Sequence, residues 1–186
     1  RWVFLLFSSY FFYMSWKAEY AVLIAGSTLV AYVTALGMAK EKNRAVRRAL
    51  LSVSILFNIG VLIFFKYANF FSSSVQSLLQ SVNVFTALPE LEVLLPVGIS
   101  FYTFQTLAYS IDVYRGEREP ERHLGHLALY VSFFPQLVAG PIERASHLLP
   151  QLKVLGGFDY DRVVSGLRLM LWGLFKKMFI ADRLGV

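Results

Sequence analysis

Four polar side chains that could contribute to chemistry lie inside apolar stretches of this sequence. Gln105, Tyr109 and Asp112 follow one another at spacings of four and three residues, which places them on one face of a helix. Gln136 directly follows Pro135, whose ring removes a backbone donor at a point where a side-chain amide could compensate. A polar group surrounded by hydrocarbon is costly unless the protein satisfies its hydrogen bonds. These positions therefore predict either a polar lining along a substrate path or hydrogen bonds between packed helices.

Gln105 is interpreted as a hydrogen-bonding residue between helices, while both interpretations stay open for Gln136. Asp112 is expected to pair with Arg115 at the end of the same helix, close to the membrane surface.

The histidines and the two lysines near the end of the sequence do not by themselves indicate a catalytic or metal site. His123 and His126 are one helical turn apart, but no nearby third ligand completes a metal site, and His147 stands apart. We expect all three at loops or helix ends. Lys176 and Lys177 either extend their ammonium groups to lipid headgroups or attract the phosphates of a ligand. Glycine-rich phosphate loops and the His-Glu-x-x-His and Gly-x-Ser-x-Gly patterns do not occur in the sequence.

The composition is typical of a membrane protein. Of the 186 residues, 56% are hydrophobic and only 16% are charged, whereas a soluble domain has about 25% charged residues. The sequence has no cysteine, which excludes a disulfide framework and a thiolate metal site. The net charge of +6 lies in short segments between apolar runs, so we do not expect nucleic-acid binding.

Helices must position these side chains, and the N-terminal helices are predicted to cross a membrane. Residues 2–16 form an aromatic-rich apolar run, and residues 18–39 form the clearest span. Residues 40–48 contain five basic residues and one glutamate, so the positive-inside rule places this loop in the cytoplasm. Residues 49–65 would then return outward.

The middle of the chain is predicted to be less regular. Residues 67–88 have one apolar stripe on a polar helix, which favours a helix lying in the outer interface. Residues 91–111 return inward, and residues 112–123 form a mixed-charge cytoplasmic loop. Residues 124–140 are apolar but contain Pro135, Gln136 and Gly140, so we expect a broken or re-entrant helix there.

The C-terminal part is predicted to end in one long helix. Residues 141–161 are interpreted as a polar connection, and residues 161–185 as a helix with Asp159 or Asp161 as its N-cap. That helix is too charged to be surrounded by lipid and suits an interface or the interior of a bundle. The predicted fold class is therefore all-α, a polytopic integral membrane helical bundle with interfacial and broken or re-entrant helices.

Several segments, taken together and in this order, resemble the bacterial branch of the membrane-bound O-acyltransferases. Each segment is mostly aromatic or aliphatic, and the order of all of them carries the resemblance. They are Tyr10–Tyr13 before Trp16, Phe65–Phe70, Leu95–Gln105, Ser110–Gly116, Phe133–Pro141, Leu148–Leu152 and Gly173–Leu184.

The resemblance implies an enzyme that moves an acetyl or other acyl group from a cytoplasmic donor to hydroxyls of an exported polysaccharide such as alginate. It implies a histidine base in a segment that we expect beyond Val186. In the phosphate alternative for Lys176 and Lys177, the ligand would be the acyl donor. The donor would be acetyl-CoA or an acyl carrier, with no tightly bound cofactor. The partners would be the lipid bilayer and polysaccharide-modifying proteins on the outer side.

The resemblance also bears on the extent and location of the chain. Residues 1–186 are expected to form a single membrane domain, the N-terminal part of a longer multi-pass protein of the bacterial inner membrane, inactive by itself. The competing hypothesis is a non-catalytic transport or assembly component of a polysaccharide export system. A histidine-containing membrane segment downstream would favour the enzyme.

Overall fold

The computed structural model describes residues 1–81, 95–137, 140–154 and 157–185, which contain helices and no strand. The chain divides into two compact units, Arg1–Lys153 and Val154–Val186, and each is described by itself. In the first unit, a 3₁₀ turn, Ala18–Tyr20, leads into the second helix. The described helices of this unit are α1 (Trp2–Met14), α2 (Ala21–Lys40), α3 (Arg44–Ser81), α4 (Ile99–Arg115), α5 (Leu124–Ser132), α6 (Phe134–Leu137) and α7 (Ala145–Lys153).

Helix α2 is the centre of the first unit, because it packs against α3, α4 and α5. Small residues on its buried face allow the neighbouring backbones to approach closely. The hydroxyls of Thr28 and Thr34 donate to the carbonyls of Ile24 and Val30, both at 2.7 Å, which satisfies them within an apolar helix. The small buried residues are Ser27, Thr28, Ala31, Thr34 and Ala35.

Two helical stretches are long and apolar enough to cross a membrane, judged by length and composition. They are Ala18–Lys40 and Arg44–Ala68, which correspond to the spans predicted at 18–39 and 49–65. Helix α2 is apolar on its exposed face as well, where three valine and leucine side chains are more than half exposed. A helix that is hydrophobic all round is typical of a membrane span or of a buried core helix.

Helix α3 continues through the point where the sequence predicted a new element. A separate helix over residues 67–88 was expected, but α3 is unbroken over 38 residues, or about 57 Å. No proline or glycine lies between Lys66 and Ser81, and two serines in this part donate to carbonyls three or four residues earlier. The prediction of a separate interfacial helix that begins after Lys66 is therefore wrong. Residues 82–88 lie outside the described part of the chain.

Residues 124–153 form a hairpin that leaves and returns to the same end of the unit. Helix α5 ends at Ser132, the next residue, Phe133, has a ψ of 104° that is not helical, and α6 follows, so the predicted break in residues 124–140 is confirmed. Helix α7 then packs back on α5, and the Tyr130 hydroxyl donates to the carbonyl of Glu143 at 2.9 Å. We refer to residues 124–153 as the α5–α7 hairpin.

Two sequence-based boundaries require correction. The polar connection predicted over residues 141–161 contains helix α7, because Leu149 and Leu152 supply an apolar face that is buried in the unit. Helix α4 also extends into the predicted loop of residues 112–123 and ends only at Arg115.

The second unit is a helical segment. It contains α8 (Tyr160–Phe175), a π-helical turn (Lys176–Ala181) and α9 (Asp182–Leu184). The carboxylate of Asp159 accepts a hydrogen bond from the backbone N–H of Arg162 at 3.1 Å, so Asp159, one of the two predicted residues, is the N-cap.

Candidate functional site

One polar face of helix α4 points toward the α5–α7 hairpin. The side-chain amide of Gln105 donates from Nε2 to the carbonyl of Tyr130 at 2.9 Å, and both residues are buried. This is the contact that the helix-packing interpretation of Gln105 requires. Tyr109 lies on the same face, one turn closer to the end of α4, and is also fully buried.

A second polar face of α4 contacts α3, and the sequence reasoning missed it. The hydroxyls of Ser54 and Ser110 are 2.9 Å apart, and the Thr106 hydroxyl donates to Oδ1 of Asn58 at 3.0 Å. Each helix contributes a pair of residues spaced four apart, which is a signal that can be read from the sequence. We interpret this face as a hydrogen-bonded seam between the helices, because each of its four side chains has a partner.

The charged turns of the first unit meet at one end, which we call the basic end (residues 40–48, 114–123 and Lys153). Nη2 of Arg47 donates to the carbonyl of Tyr114 at 2.6 Å. The Tyr32 hydroxyl donates to the carbonyl of Arg122, also at 2.6 Å. The turn between α2 and α3 and the loop between α4 and α5 are thereby held at the same end.

Glu121 is the buried centre of this end. Its backbone N–H donates to the Tyr109 hydroxyl at 2.9 Å, and its Oε1 accepts the N–H of His123 at 3.1 Å. Its Oε2 forms an ion pair with Lys153, the last residue of α7. The Glu121 side chain is only 6% exposed, which is unusual for a carboxylate and requires these partners. The sequence reasoning missed Glu121 because it resembles the other charges of its loop.

The two neighbouring histidines border Glu121 without forming a metal site. Nδ1 of His126 is 3.8 Å from Oε1 of Glu121. The ring centroids of His123 and His126 are 4.4 Å apart, and Trp2 packs edge-on against both rings. Among the described residues, no group of three potential ligands could hold a metal ion.

The ion pair predicted at the end of α4 does not form. Arg115 pairs instead with Glu117 at 3.6 Å, and both side chains are at least half exposed. Asp112 is 9% exposed, and its carbonyl accepts the backbone N–H of Glu117. The loop turns back directly after α4, so it brings a closer carboxylate to Arg115 than its own helix does.

Gln136 lies at the tip of the α5–α7 hairpin, away from the basic end. Its Nε2 donates to the carbonyl of Pro141 at 2.6 Å, while its Oε1 is buried and has no hydrogen-bond partner. The turn is tight, because a Cβ added at Gly140 would lie 2.6 Å from the Cα of Gln136. An orphaned buried carbonyl oxygen leaves an acceptor for a hydroxyl or N–H group of a ligand. The two glutamines therefore differ in their hydrogen bonding. The Gln105 amide donates to another helix in the packed interior, whereas the Gln136 oxygen has no partner.

The tip of the hairpin also contacts the start of α4. Gly98 has a φ of +71°, and a Cβ at this position would lie 2.6 Å from the carbonyl oxygen of Leu137. The backbone N–H of Phe134 lies 3.4 Å from the hydroxyl oxygen of Ser9, so α1 borders the tip as well. These contacts fix the position of Gln136.

A polar cleft of about 370 Å³ opens at the basic end. It lies between the loop that follows α4 and the last residue of α7. Its lining is formed by Arg118, Glu119, Pro120, Glu121, Arg122 and Lys153.

The two candidate lysines lie in the second unit. Nζ of Lys177 is 3.7 Å from Oδ2 of Asp182, a spacing of five residues that the π-helical turn brings together. Nζ of Lys176 lies 5.3 Å from the ring centroid of Trp172. Both lysines are exposed and already have a neighbour of complementary charge or an aromatic face.

Proteins with related sequences are named for O-acetylation. The chain is 39% identical over 184 residues to the probable alginate O-acetylase of Pseudomonas aeruginosa. This alignment covers 97% of the chain and 34% of that protein. It is 38% identical over 184 residues to the protein of the same name from Pseudomonas putida, which covers 98% of the chain and 37% of that protein. It is 34% identical over 204 residues to the peptidoglycan O-acetyltransferase of Helicobacter pylori, which covers 96% of the chain and 38% of that protein.

These alignments include nearly all of the chain, and the chain spans about a third of the length of the curated relatives it matches. No family model and no solved structure matches it. The resemblance that the ordered segments predicted is confirmed by these relatives. Over nearly its whole length, this chain is homologous to bacterial proteins named as alginate O-acetylases and as a peptidoglycan O-acetyltransferase.

Proposed function

We propose that the chain is part of a bacterial membrane-bound O-acyltransferase that moves an acetyl group from a cytoplasmic donor to hydroxyls of an exported polysaccharide such as alginate. The observation that carries this proposal is identity of 34% to 39% over almost the whole chain to proteins named for O-acetylation. The donor is acetyl-CoA or an acyl carrier. Proteins on the outer side complete the modification of the polymer.

The proposed location is the inner membrane, which the chain crosses several times. Two apolar helices of sufficient length support this location. The basic end contains the turn between them together with most of the charged loop after α4, so the positive-inside rule assigns this end to the cytoplasm. The α5–α7 hairpin then enters the membrane from the cytoplasmic side and returns to it.

Within this arrangement, the residues of the chain have different roles. Gln105 and the Ser54–Ser110 pair hold the helices together, because their polar atoms are hydrogen-bonded to other helices. Gln136 lines the path of a substrate, because its Oε1 is buried, unpaired and positioned by a tight turn. The histidine base implied by the resemblance belongs to a segment outside these residues.

The function is tested in the native organism with the full-length gene. We expect its deletion to remove O-acetyl esters from the exported polymer, measured by NMR of the purified polysaccharide, and plasmid-borne full-length protein to restore them. Inverted membrane vesicles with labelled acetyl-CoA then test the donor and the side on which it acts. Export of normal amounts of fully acetylated polymer by the deletion strain would contradict the proposal, and loss of export itself would favour a transport or assembly role.

The topology has an independent test. The 186 residues contain no native cysteine. A cysteine that replaces Lys42 in the full-length protein should react with an impermeant maleimide only after the cells are opened. Labelling from outside in intact cells would place the basic end in the periplasm and reverse the orientation.

A further inference from the structure

We infer that the cleft at the basic end binds a phosphate group, held by the guanidinium groups of Arg118 and Arg122. The assignment of that phosphate to an acyl donor rests on the function proposed above. The phosphate chemistry itself rests only on the side chains of the cleft.

The charge balance of the cleft favours an anion. Five of its lining side chains are charged. Glu121 and Lys153 form an ion pair, so these two charges compensate each other. Among the lining side chains, the two guanidinium groups then remain with one carboxylate, that of Glu119. Within the described part of the chain, neither Arg118 nor Arg122 forms a side-chain ion pair.

Arg118 has an unsatisfied donor at this place. Its Nε is buried and has no hydrogen-bond partner. A buried N–H without a partner is costly, so Arg118 keeps an unused hydrogen-bonding capacity beside the cleft. The planar fork of a guanidinium group matches two oxygens of a phosphate, so two neighbouring arginines form a suitable site for this group.

The backbone of the cleft is held in place by contacts to the helices. Its loop is tied to α2 through the Tyr32 hydroxyl and the carbonyl of Arg122, and to α4 through Tyr109. Its other wall is tied by the ion pair between Glu121 and Lys153. A volume of about 370 Å³ is sufficient for a phosphate and the group attached to it.

Two kinds of molecule at a cytoplasmic membrane surface contain such a phosphate group. One is the phosphate-rich part of the acyl donor, either coenzyme A or a carrier's phosphopantetheine. The other is the phosphate of an anionic lipid headgroup. Lys176 and Lys177 already have partners in their own unit, so the arginines of the cleft are the more available cations.

The test is equilibrium binding of coenzyme A to the full-length protein in nanodiscs of phosphatidylcholine. Arg118→Gln and Arg122→Gln remove a charge and the fork but keep a side chain of similar length. Each should weaken binding about tenfold, as expected for loss of a charged hydrogen bond. Arg48→Gln is the matched control, because it removes one charge at the same end without lining the cleft. Equal weakening by Arg48→Gln would show a general charge effect and overturn the site.

Two further arms identify the source of the phosphate. Use of 3′-dephospho-coenzyme A shows whether the 3′-phosphate is the group that is bound. Nanodiscs with phosphatidylglycerol, examined by native mass spectrometry, show whether lipid adducts depend on the two arginines. Arginine-dependent lipid adducts without coenzyme A binding would assign the site to a headgroup, and no arginine dependence for either probe would refute it.

The design separates this inference from the proposed function. Normal acetyl transfer with an unchanged KM in both arginine variants would refute the donor assignment and leave the function intact. Arginine-dependent coenzyme A binding by a protein that acetylates no polymer would support the phosphate site and refute the proposed function. Because Arg118 is partly buried, its variant is checked by thermal unfolding, and exposed Arg122 provides a second variant that does not depend on folding.

Discussion

Glu121, in the loop just before the α5–α7 hairpin, forms an ion pair with Lys153, the last residue of that hairpin. The carboxylate is buried, while the Lys153 side chain is 41% exposed. The pair therefore closes the hairpin at the basic end, and the tip that contains Gln136 is positioned at the other end by Gly98 and Gly140.

Lys153→Ala should destabilise the full-length protein by about 1–2 kcal/mol, because it leaves a buried carboxylate without its main partner. The measurement is thermal unfolding of the purified protein in detergent. Lys17→Ala is the control, since Lys17 pairs with Glu19, whose side chain is 80% exposed. That variant should change the stability by less than about 0.5 kcal/mol. Equal effects of the two variants would show that the buried ion pair of Lys153 contributes no more to stability than an exposed one.

The same pair predicts how stability depends on pH. Burial raises the pKa of Glu121, but hydrogen bonds from Lys153 and His123 and nearby positive charges outweigh it, so this pKa lies below its ordinary value of 4.5. A lowered folded-state pKa contributes stability above the unfolded pKa, and that stability is lost as the pH falls through the folded value. The stability difference between wild type and Glu121→Gln should therefore shrink as the pH falls below about 5, where His126, 3.8 Å from this carboxylate, is already protonated in both proteins. A difference that grows as the pH falls below about 5 would contradict the assigned sign.

Gly98→Ala tests the contact between α4 and the tip of the hairpin. The positive φ and the nearby Leu137 carbonyl oxygen should make this change cost about 1–3 kcal/mol in unfolding free energy. Gly60→Ala is the matched control, since nothing lies within 4 Å of its added Cβ in α3. Replacement of glycine inside a helix should stabilise the protein by about 0.5–1 kcal/mol. Normal stability and activity of the Gly98 variant would show that the tip is not fixed as described.

Gln105→Leu and Gln136→Leu compare two buried amides of similar volume. Gln105→Leu removes an interhelical hydrogen bond, which costs about 0.6 kcal/mol on average in membranes, so abundance and acetylation should fall slightly and together. Gln136→Leu also removes an unsatisfied oxygen, which offsets the loss of the bond to Pro141. Its abundance should stay normal while polymer acetylation falls. Normal acetylation in this variant would contradict a role for Gln136 in the substrate path.

The sequence by itself determined the properties that depend on local composition and spacing. Apolar runs predicted spans at residues 18–39 and 49–65, which correspond to the apolar helices Ala18–Lys40 and Arg44–Ala68, because length and hydropathy suffice to identify them. The short acidic side chains of Asp159 and Asp161 predicted a cap at the start of α8, and Asp159 is the one that forms it. Pro135 and its neighbours predicted the break after α5. The ordered segments also predicted the similarity to O-acetylases that the relatives confirm.

The tertiary structure decided which of several similar residues is buried and what it contacts. Glu117, Glu119 and Glu121 are equivalent in the sequence, yet only Glu121 lies where Tyr109 and Lys153 converge. Arg115 pairs with Glu117 instead of Asp112 because the loop folds back at the end of α4. Such contacts join residues that are distant in the chain or separated by a turn, and local periodicity contains no information about them. The free energy of a buried charge depends on its partners in space, so only the folded arrangement determines it.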